Sequence, residues 1–268
     1  MSEVDAGGAA PGGIEAAANG IVQSLVRGLA VIRAFDAEHP ALTLSDVARR
    51  AGITRAAAGR FLRTLEQLGY VRVDGRDFSL TPRVLELGFS YLSALSIPEI
   101  VQPHLERLSH EVGESVSAAV LDGDDIVYIA RVPTRRIMSV RITIGTRFPA
   151  FATSMGRVLL AGMADDALGA ALAASAHPSL TERTVTDLSA LRDEIAAVRA
   201  QGWALVDGEL EPGLRSVAAP VHDRQGRVVA AVNVSSSATR DSVDHLVDQY
   251  LPRLRRTTEA IDAELRLV

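Results

Sequence analysis

Residues 42–80 read LTLSDVARRAGITRAAAGRFLRTLEQLGYVRVDGRDFSL, and this stretch decides the fold of the N-terminal part of the chain. Thr43-Leu44-Ser45-Asp46 has the form of a capping box with aspartate in place of glutamate, so a short helix, SDVARRAG, opens there and ends at Gly52. Ile53 and Thr54 lead into a longer helix, about Arg55 to Leu68, that stops before Gly69. The next run, YVRVDGRDFSL, alternates around an Asp74-Gly75 turn and predicts a β-hairpin. Two helices joined by a tight glycine turn and followed by a hairpin are the parts of a winged helix-turn-helix, whose second helix enters a major groove. At about 100° per residue, Ala58, Phe61, Leu62, Leu65 and Leu68 gather on one side of that helix. Ala56, Gly59, Arg60, Arg63 and Gln67 fall on the other. Small residues there allow close approach to base edges, while arginine can donate two hydrogen bonds to guanine and glutamine can pair with adenine. Thr54 and Arg55 stand at the helix start, where backbone N–H groups suit phosphate. Arg72 and Arg76 belong to the hairpin, within reach of the DNA backbone or minor groove. The expected partner is double-stranded operator DNA.

Upstream, Ser24 can cap a helix to about Asp36 with Leu25, Leu29, Ile32 and Phe35 on one face, and His39-Pro40 stops it. Residues 1–20 are rich in glycine and alanine and read as a disordered leader. The formal net charge of the 268-residue chain is −5, which looks wrong for a nucleic-acid binder until it is divided. From Val22 to Leu80 there are nine arginines against six acids, a local charge of +3, and attraction to phosphate depends on the docking surface. The remainder is therefore −8. All basic residues are arginine, and cysteine is absent, which removes disulfides, thiolate zinc sites and cysteine nucleophiles and suits a reducing cytoplasm. No run of apolar residues is long enough to span a bilayer, and no secretory signal is expected.

Downstream, RVLELGFSYLSALS over 82–97 predicts a linker helix closed by Pro98. Beyond it, 98–268 alternates helices and strands. Helices are expected at about Ile100–Val112, Ser154–Met163, Ser189–Gln201 and Val243–Leu265. Strands are expected near Val116–Leu121, Ile126–Val132, Ile137–Ile144, Ala204–Asp207, Ser216–Val221 and Val228–Val234. Connections of hairpin length imply an α+β domain with a mainly antiparallel sheet flanked by helices. The domain organisation expected is thus 1–20 leader, 21–81 winged helix-turn-helix, 82–97 linker helix and 98–268 effector-binding domain.

Between Ile126 and Ala164 stand six arginines (131, 135, 136, 141, 147 and 157) and no aspartate or glutamate. In the same window Thr153-Ser154-Met155-Gly156 starts a helix, and free N–H groups beside a hydroxyl suit a carboxylate. Two readings of the arginines stay open. They either hold an anionic ligand, or lie on exposed strand faces and pair with acids elsewhere.

Three stretches together resemble the IclR family of bacterial regulators: SLVRGLAVIRAF with LTLSDVARRAGITRAAAGRFLRTLEQLGYV, then RIMSVRITIGTRFPAFATSMGRVLLAG, then GWALVDGELEPGLRSVAAPVHDRQGRVVAAVNVSS. The middle one is similar to the branch controlling catabolism of aromatic acids through the β-ketoadipate pathway, with protocatechuate, p-hydroxybenzoate and related inducers. The resemblance implies a GAF-like effector domain and a homodimer or homotetramer on a palindromic operator, sensing a small organic acid. It also implies ligand contacts at Ser154, Met155, Asp207, Ser216, Asn233 and Ser235. Some relatives carry cysteine or serine where Ser216 and Asn233 stand, so the hydrogen-bond pattern, and with it the ligand, can differ. Asp207 and Asn233 could instead satisfy backbone groups at strand ends.

Other chemistries find little support. The six histidines lack metal spacing, HEVGE is not a zinc helix, and nucleophile elbows, P-loops and dinucleotide fingerprints are missing, so no metal or cofactor is expected. Trp203 reads as core. A second class of function is an organic-acid-processing enzyme with an appended DNA-binding module, using Asp207, Glu209 and Glu211 as acid and base. It lacks a nucleophile–base pair, and the chain is not expected to be an enzyme. A third is an architectural DNA binder without a ligand.

Overall fold

The computed structural model describes residues 21–87, 97–134 and 142–267, which fall into two compact units, one within 1–91 and one within 92–268. The leader, most of the predicted linker helix and Arg135, Arg136 and Arg141 lie outside the described residues.

In the first unit, α1 (Gln23–Arg33) begins one residue before Ser24. Val22 occupies its N-cap position and makes no side-chain cap. Helices α2 (Leu44–Arg50) and α3 (Arg55–Gln67) are both capped by threonine. Thr43 Oγ1 accepts from the Asp46 N–H at 3.3 Å, the cap expected from the sequence, and its hydroxyl donates to the Asp46 carboxylate at 2.6 Å. Between the helices Gly52 adopts φ +64°, a conformation that costs other residues strain. Strands β2 (Val71–Asp74) and β3 (Asp77–Leu80) form the hairpin. A three-residue strand that the sequence pattern did not reveal, β1 (Ala41–Thr43), adds to β3 and gives the order β1-β3-β2. Val31, Val47, Ala58, Leu62 and Val71 close the core. Leu68, expected on the apolar side, is the C-cap of α3 and stands half exposed. After a 3-10 turn at Pro82–Val84, residues 85–87 begin the predicted linker.

In the second unit, β4 (Ser115–Asp122), β5 (Asp125–Val132), β6 (Arg147–Pro149), β7 (Ala204–Asp207), β8 (Leu214–His222) and β9 (Val228–Ser237) form an antiparallel sheet in the order β6-β5-β4-β9-β8-β7. Of the strand expected at 137–144, the described residues 142–144 are not extended, and the edge strand lies later, at 147–149. Period-two alternation sends Val116, Ala118, Val217, Val232 and Val234 to one face. There they pack on α4 (Ile97–Val112) and α8 (Leu251–Leu265). The other face meets α5 (Ser154–Ala161), α6 (Asp165–Ala174) and α7 (Leu188–Gln201). Helix α6 was not expected from the sequence. Its acidic first turn is present, but it buries only Leu168 and Leu172.

Candidate functional site

The exposed side of α3 carries Ala56, Arg60, Arg63 and Gln67, with Thr54 and Arg55 exposed at its start and Arg76 in the hairpin turn. Gly59 is only partly exposed. A side chain built there would meet Leu44 of α2 at 3.7 Å, so this position faces the helix–helix seam as much as the open side. The arginines divide by partner. Arg49 pairs with Asp46 at 2.7 Å and Arg50 with Asp36 at 2.5 Å, so both are neutralised within the unit. Arg72 donates to Ser79 Oγ. The side chains of Arg55, Arg60, Arg63 and Arg76 have no hydrogen bond or ion pair among the described residues. Together with the exposed Arg27 and Arg33 of α1, which likewise have no side-chain bond among the described residues, these supply the positive charge available to phosphate or base edges.

In the second unit, the face that meets α5 changes character toward one end of the sheet. Where Ala119, Ala218 and Ala231 give way along β4, β8 and β9, polar side chains take the inward positions. Register aligns Arg131, Ser117 and Asn233 in one cross-strand row, and Ser115, Ser235 and Ser216 in the next. The start of α5 is laid over them. Thr153 caps this helix by accepting from the Gly156 N–H at 3.0 Å, and Ser154 Oγ lies 2.8 Å from Ser216 Oγ. Gly156 makes the close approach possible, because a Cβ there would stand 2.0 Å from the Ala150 carbonyl oxygen. Together Tyr128, Arg131, Thr153, Ser154, Met155, Ser216, Asn233 and Ser235 line a narrow cavity of about 20 Å³, closed by Leu210 and Leu214.

Of the six residues marked as ligand contacts, five line this cavity and Asp207 does not. Its carboxylate is held by Arg215, at 2.7 and 3.1 Å, and by Arg183 at 2.5 Å. The Arg215 hydrogen bonds, with help from Arg183, keep its pKa below the usual carboxylate value. A depressed folded pKa contributes stability above the unfolded value and loses it as pH falls. We expect Asp207→Asn to melt earlier than the wild type at pH 7, with the difference disappearing as both are acidified below about pH 3.8, the ordinary value. A melting series across that range checks it, and a gap that persisted in acid would contradict the charge-based account.

The arginine-rich window also resolves by partner. Arg147 is bound by Asp122 and Asp125, at 2.6 and 3.1 Å. Arg157 is buried and pairs with Glu209 at 2.7 Å while donating to the Phe151 carbonyl. Arg131 has no acid partner among the described residues. Its single side-chain hydrogen bond reaches Ser117 Oγ at 3.2 Å, and its Nε is buried without a partner. Burial pulls its pKa below the ordinary arginine value, though the group remains a cation. Asn233 Oδ1, in the same cavity, is likewise buried and unpartnered, while its amide N–H donates to Ser235 Oγ. Tyr128 has its phenol pushed up to about 12 by burial and so stays a neutral hydroxyl. A half-buried cation without an acid partner among the described residues thus stands beside neutral donors and acceptors. Of the three acids named for an enzymatic reading, Asp207 is engaged as described and Glu209 binds Arg157 and the Val185 N–H.

Residues 24–75 match the family model described as the IclR helix-turn-helix domain, and 89–263 the one described as the bacterial transcriptional regulator IclR C-terminal domain. The chain belongs to the IclR family. As an IclR-type DNA-binding transcription regulator it is similar to the Pca regulon regulatory protein of Pseudomonas putida, at 47% identity over 86% of this chain and 80% of that protein. Its fold matches that of a transcriptional regulator from Rhodococcus sp. RHA1, at 58% identity and a TM-score of 0.84 over 92% of this chain and 99% of that one. It also matches an IclR homologue from Microbacterium hydrocarbonoxydans complexed with 4-hydroxybenzoate, at 27% identity and a TM-score of 0.82 over 91% and 100% of the two chains. No helix among the described residues of this IclR-family regulator is long and apolar enough to cross a membrane.

Proposed function

We propose that this regulator controls a catabolic operon in the cytoplasm in response to a small aromatic carboxylate of the hydroxybenzoate type, which it binds without turning over. Its division of labour is 21–81 for operator DNA, 82–97 as linker helix and 98–268 for the effector. The observation that carries the reading is Arg131, a cation with no acid partner among the described residues and with its Nε buried, in a cavity with Ser154, Ser216, Asn233 and Ser235. A carboxylate would supply the missing counter-charge, and Asn233 Oδ1 would accept from a ring hydroxyl. The cavity of about 20 Å³ holds little more than a water-sized group, so a ring must part Leu210, Leu214 and Met155. Binding therefore favours an opened arrangement, and the energy for regulation is the ligand's difference in affinity between the two arrangements.

On the DNA side, Thr54, Arg55, Ala56, Gly59, Arg60, Arg63, Gln67 and Arg76 form the proposed contact surface. A homodimer or tetramer is supported by α1 and the two residues before it, where Ile21, Val22, Leu25, Val26 and Leu29 are all about half exposed or more, an apolar surface suited to a second copy. The test is fluorescence anisotropy on the operator with and without 4-hydroxybenzoate. We expect the effector to change operator affinity, and Arg60→Ala or Arg63→Ala to weaken it about tenfold or more each while leaving effector binding unchanged. Sequence preference that survived both substitutions would remove α3 as the reading helix, and an affinity indifferent to every hydroxybenzoate would remove the effector reading.

A further inference from the structure

A second cavity lies on the far side of the turn that forms one wall of the effector cavity. Ala152, Thr153 and Ser154 face the first, whereas Ala150 and Phe151 face the second. This second space is an open cleft of about 310 Å³ between the β4–β5 turn, the end of β6, α5 and the residues after α6. That volume lies at the lower end of the range for small-molecule sites. Its apolar wall is Phe151, Leu160, Ala171 and Leu172, with Phe151, Leu160 and Leu172 buried. The His177 ring meets the Phe151 ring edge-on, with centroids 4.9 Å apart at 85°.

The polar groups of the cleft share one character. The β4–β5 turn holds Asp122, Asp124 and Asp125. Arg147 bonds to Asp122 and Asp125, and the Asp124 carboxylate has no partner among the described residues. Of these, Asp124 and Asp125 line the cleft, and Asp125 is paired with Arg147, so Asp124 is the carboxylate of the lining that has no partner among the described residues. The ring nitrogens of His177 are also without a hydrogen bond among the described residues, so a neutral imidazole offers a second acceptor. An anion, the ligand class proposed for the cavity around Arg131, would be repelled here. The groups are suited to a donor cation: an ammonium that reaches Asp124 and His177 while an apolar body lies along Phe151, Leu160 and Leu172.

We propose that this cleft is a second small-molecule site, taking a protonated primary amine with a compact apolar or aromatic body. It stands whether or not the Arg131 cavity holds an aromatic acid, since no residue is common to the two linings.

Phenethylamine is the probe, titrated into the full-length protein by calorimetry and by amide chemical-shift mapping. We expect saturable one-site binding, with shifts confined to residues 122–125, 149–151 and 171–178. Asp124→Asn, at an exposed position, should weaken it by roughly tenfold, the effect of losing one ion pair of about 1.4 kcal/mol. Ala171→Phe should abolish binding by filling the cleft, and both variants should keep the wild-type response to 4-hydroxybenzoate. Arg131→Met should bind phenethylamine as the wild type does. The proposal is overturned if phenethylamine fails to bind at millimolar concentration, or if Asp124→Asn leaves affinity unchanged. It is equally overturned if 4-hydroxybenzoate competes with the amine one for one, which would place both in a single cavity.

Discussion

Arg131→Met should remove the response to aromatic acids and leave the protein at least as stable as the wild type. Most substitutions of a partly buried arginine destabilise, because an acid partner is left behind without its counter-charge. Among the described residues Arg131 leaves none: its one side-chain bond there is to a serine, its Nε is buried without a partner, and burial already disfavours its charge. Methionine of similar reach restores apolar packing without the desolvation cost, so the exchange should be neutral to mildly stabilising. The bond lost to Ser117 offsets part of that gain. Ligand affinity moves the other way. Losing one partner of a buried charge pair costs ~2–5 kcal/mol, roughly a thirtyfold to several-thousandfold loss for a carboxylate. Melting temperature and 4-hydroxybenzoate titration, measured on the same sample, should therefore separate. A variant that melted well below the wild type would show that Arg131 is structural, and one that bound the acid normally would show that the carboxylate sits elsewhere.

A group kept at a cost to stability is what a ligand site looks like before its ligand arrives. It also explains what could and could not be read from residues alone. The winged helix-turn-helix was legible because its signals are local: Thr43 and Thr54 as caps, Gly52 at the turn, Asp74-Gly75 in the hairpin. The strand Ala41–Thr43 escaped because three residues are too few to show alternation, and it is defined only by pairing with Asp77–Ser79. In the effector domain the cluster of arginines was visible, but their roles were not. Arg147 and Arg157 are told apart from Arg131 by acids 22 to 52 positions away in sequence, and only the fold brings those acids near. Ser117 carried a faint signal, a polar residue in an otherwise apolar strand, and it gains meaning only beside Arg131 and Asn233. Asp207, marked as a contact by its motif, has its carboxylate held by Arg215 on the paired strand and by Arg183, 24 positions earlier, pairings that the strand register and the fold create.

Arg157→Met, the same substitution 26 positions later, should have the opposite outcome. Arg157 is 2% exposed, and its partner Glu209 is only 7% exposed. One guanidinium joins α5, the Phe151 carbonyl and Glu209, with Glu194 of α7 a further 3.6 Å contact. Without it, the Glu209 side chain keeps only the Val185 N–H among the described residues and remains buried. An uncompensated buried charge of this kind costs about 3–5 kcal/mol, which in a unit of this size corresponds to a fall of roughly 10 °C in melting temperature. The effector response should fade as well, since Arg157 braces the turn that carries Ser154 into the cavity. A double-mutant cycle distinguishes charge from packing. If the loss comes from the stranded carboxylate, Glu209→Gln should recover a large part of it in the Arg157→Met background while destabilising the wild type. If it comes from lost packing around the arginine stem, the two changes should add. The account of Arg131 and Arg157 as opposites, one held for a ligand and one for the fold, stands only if the cycle shows coupling here and Arg131→Met shows no loss of stability.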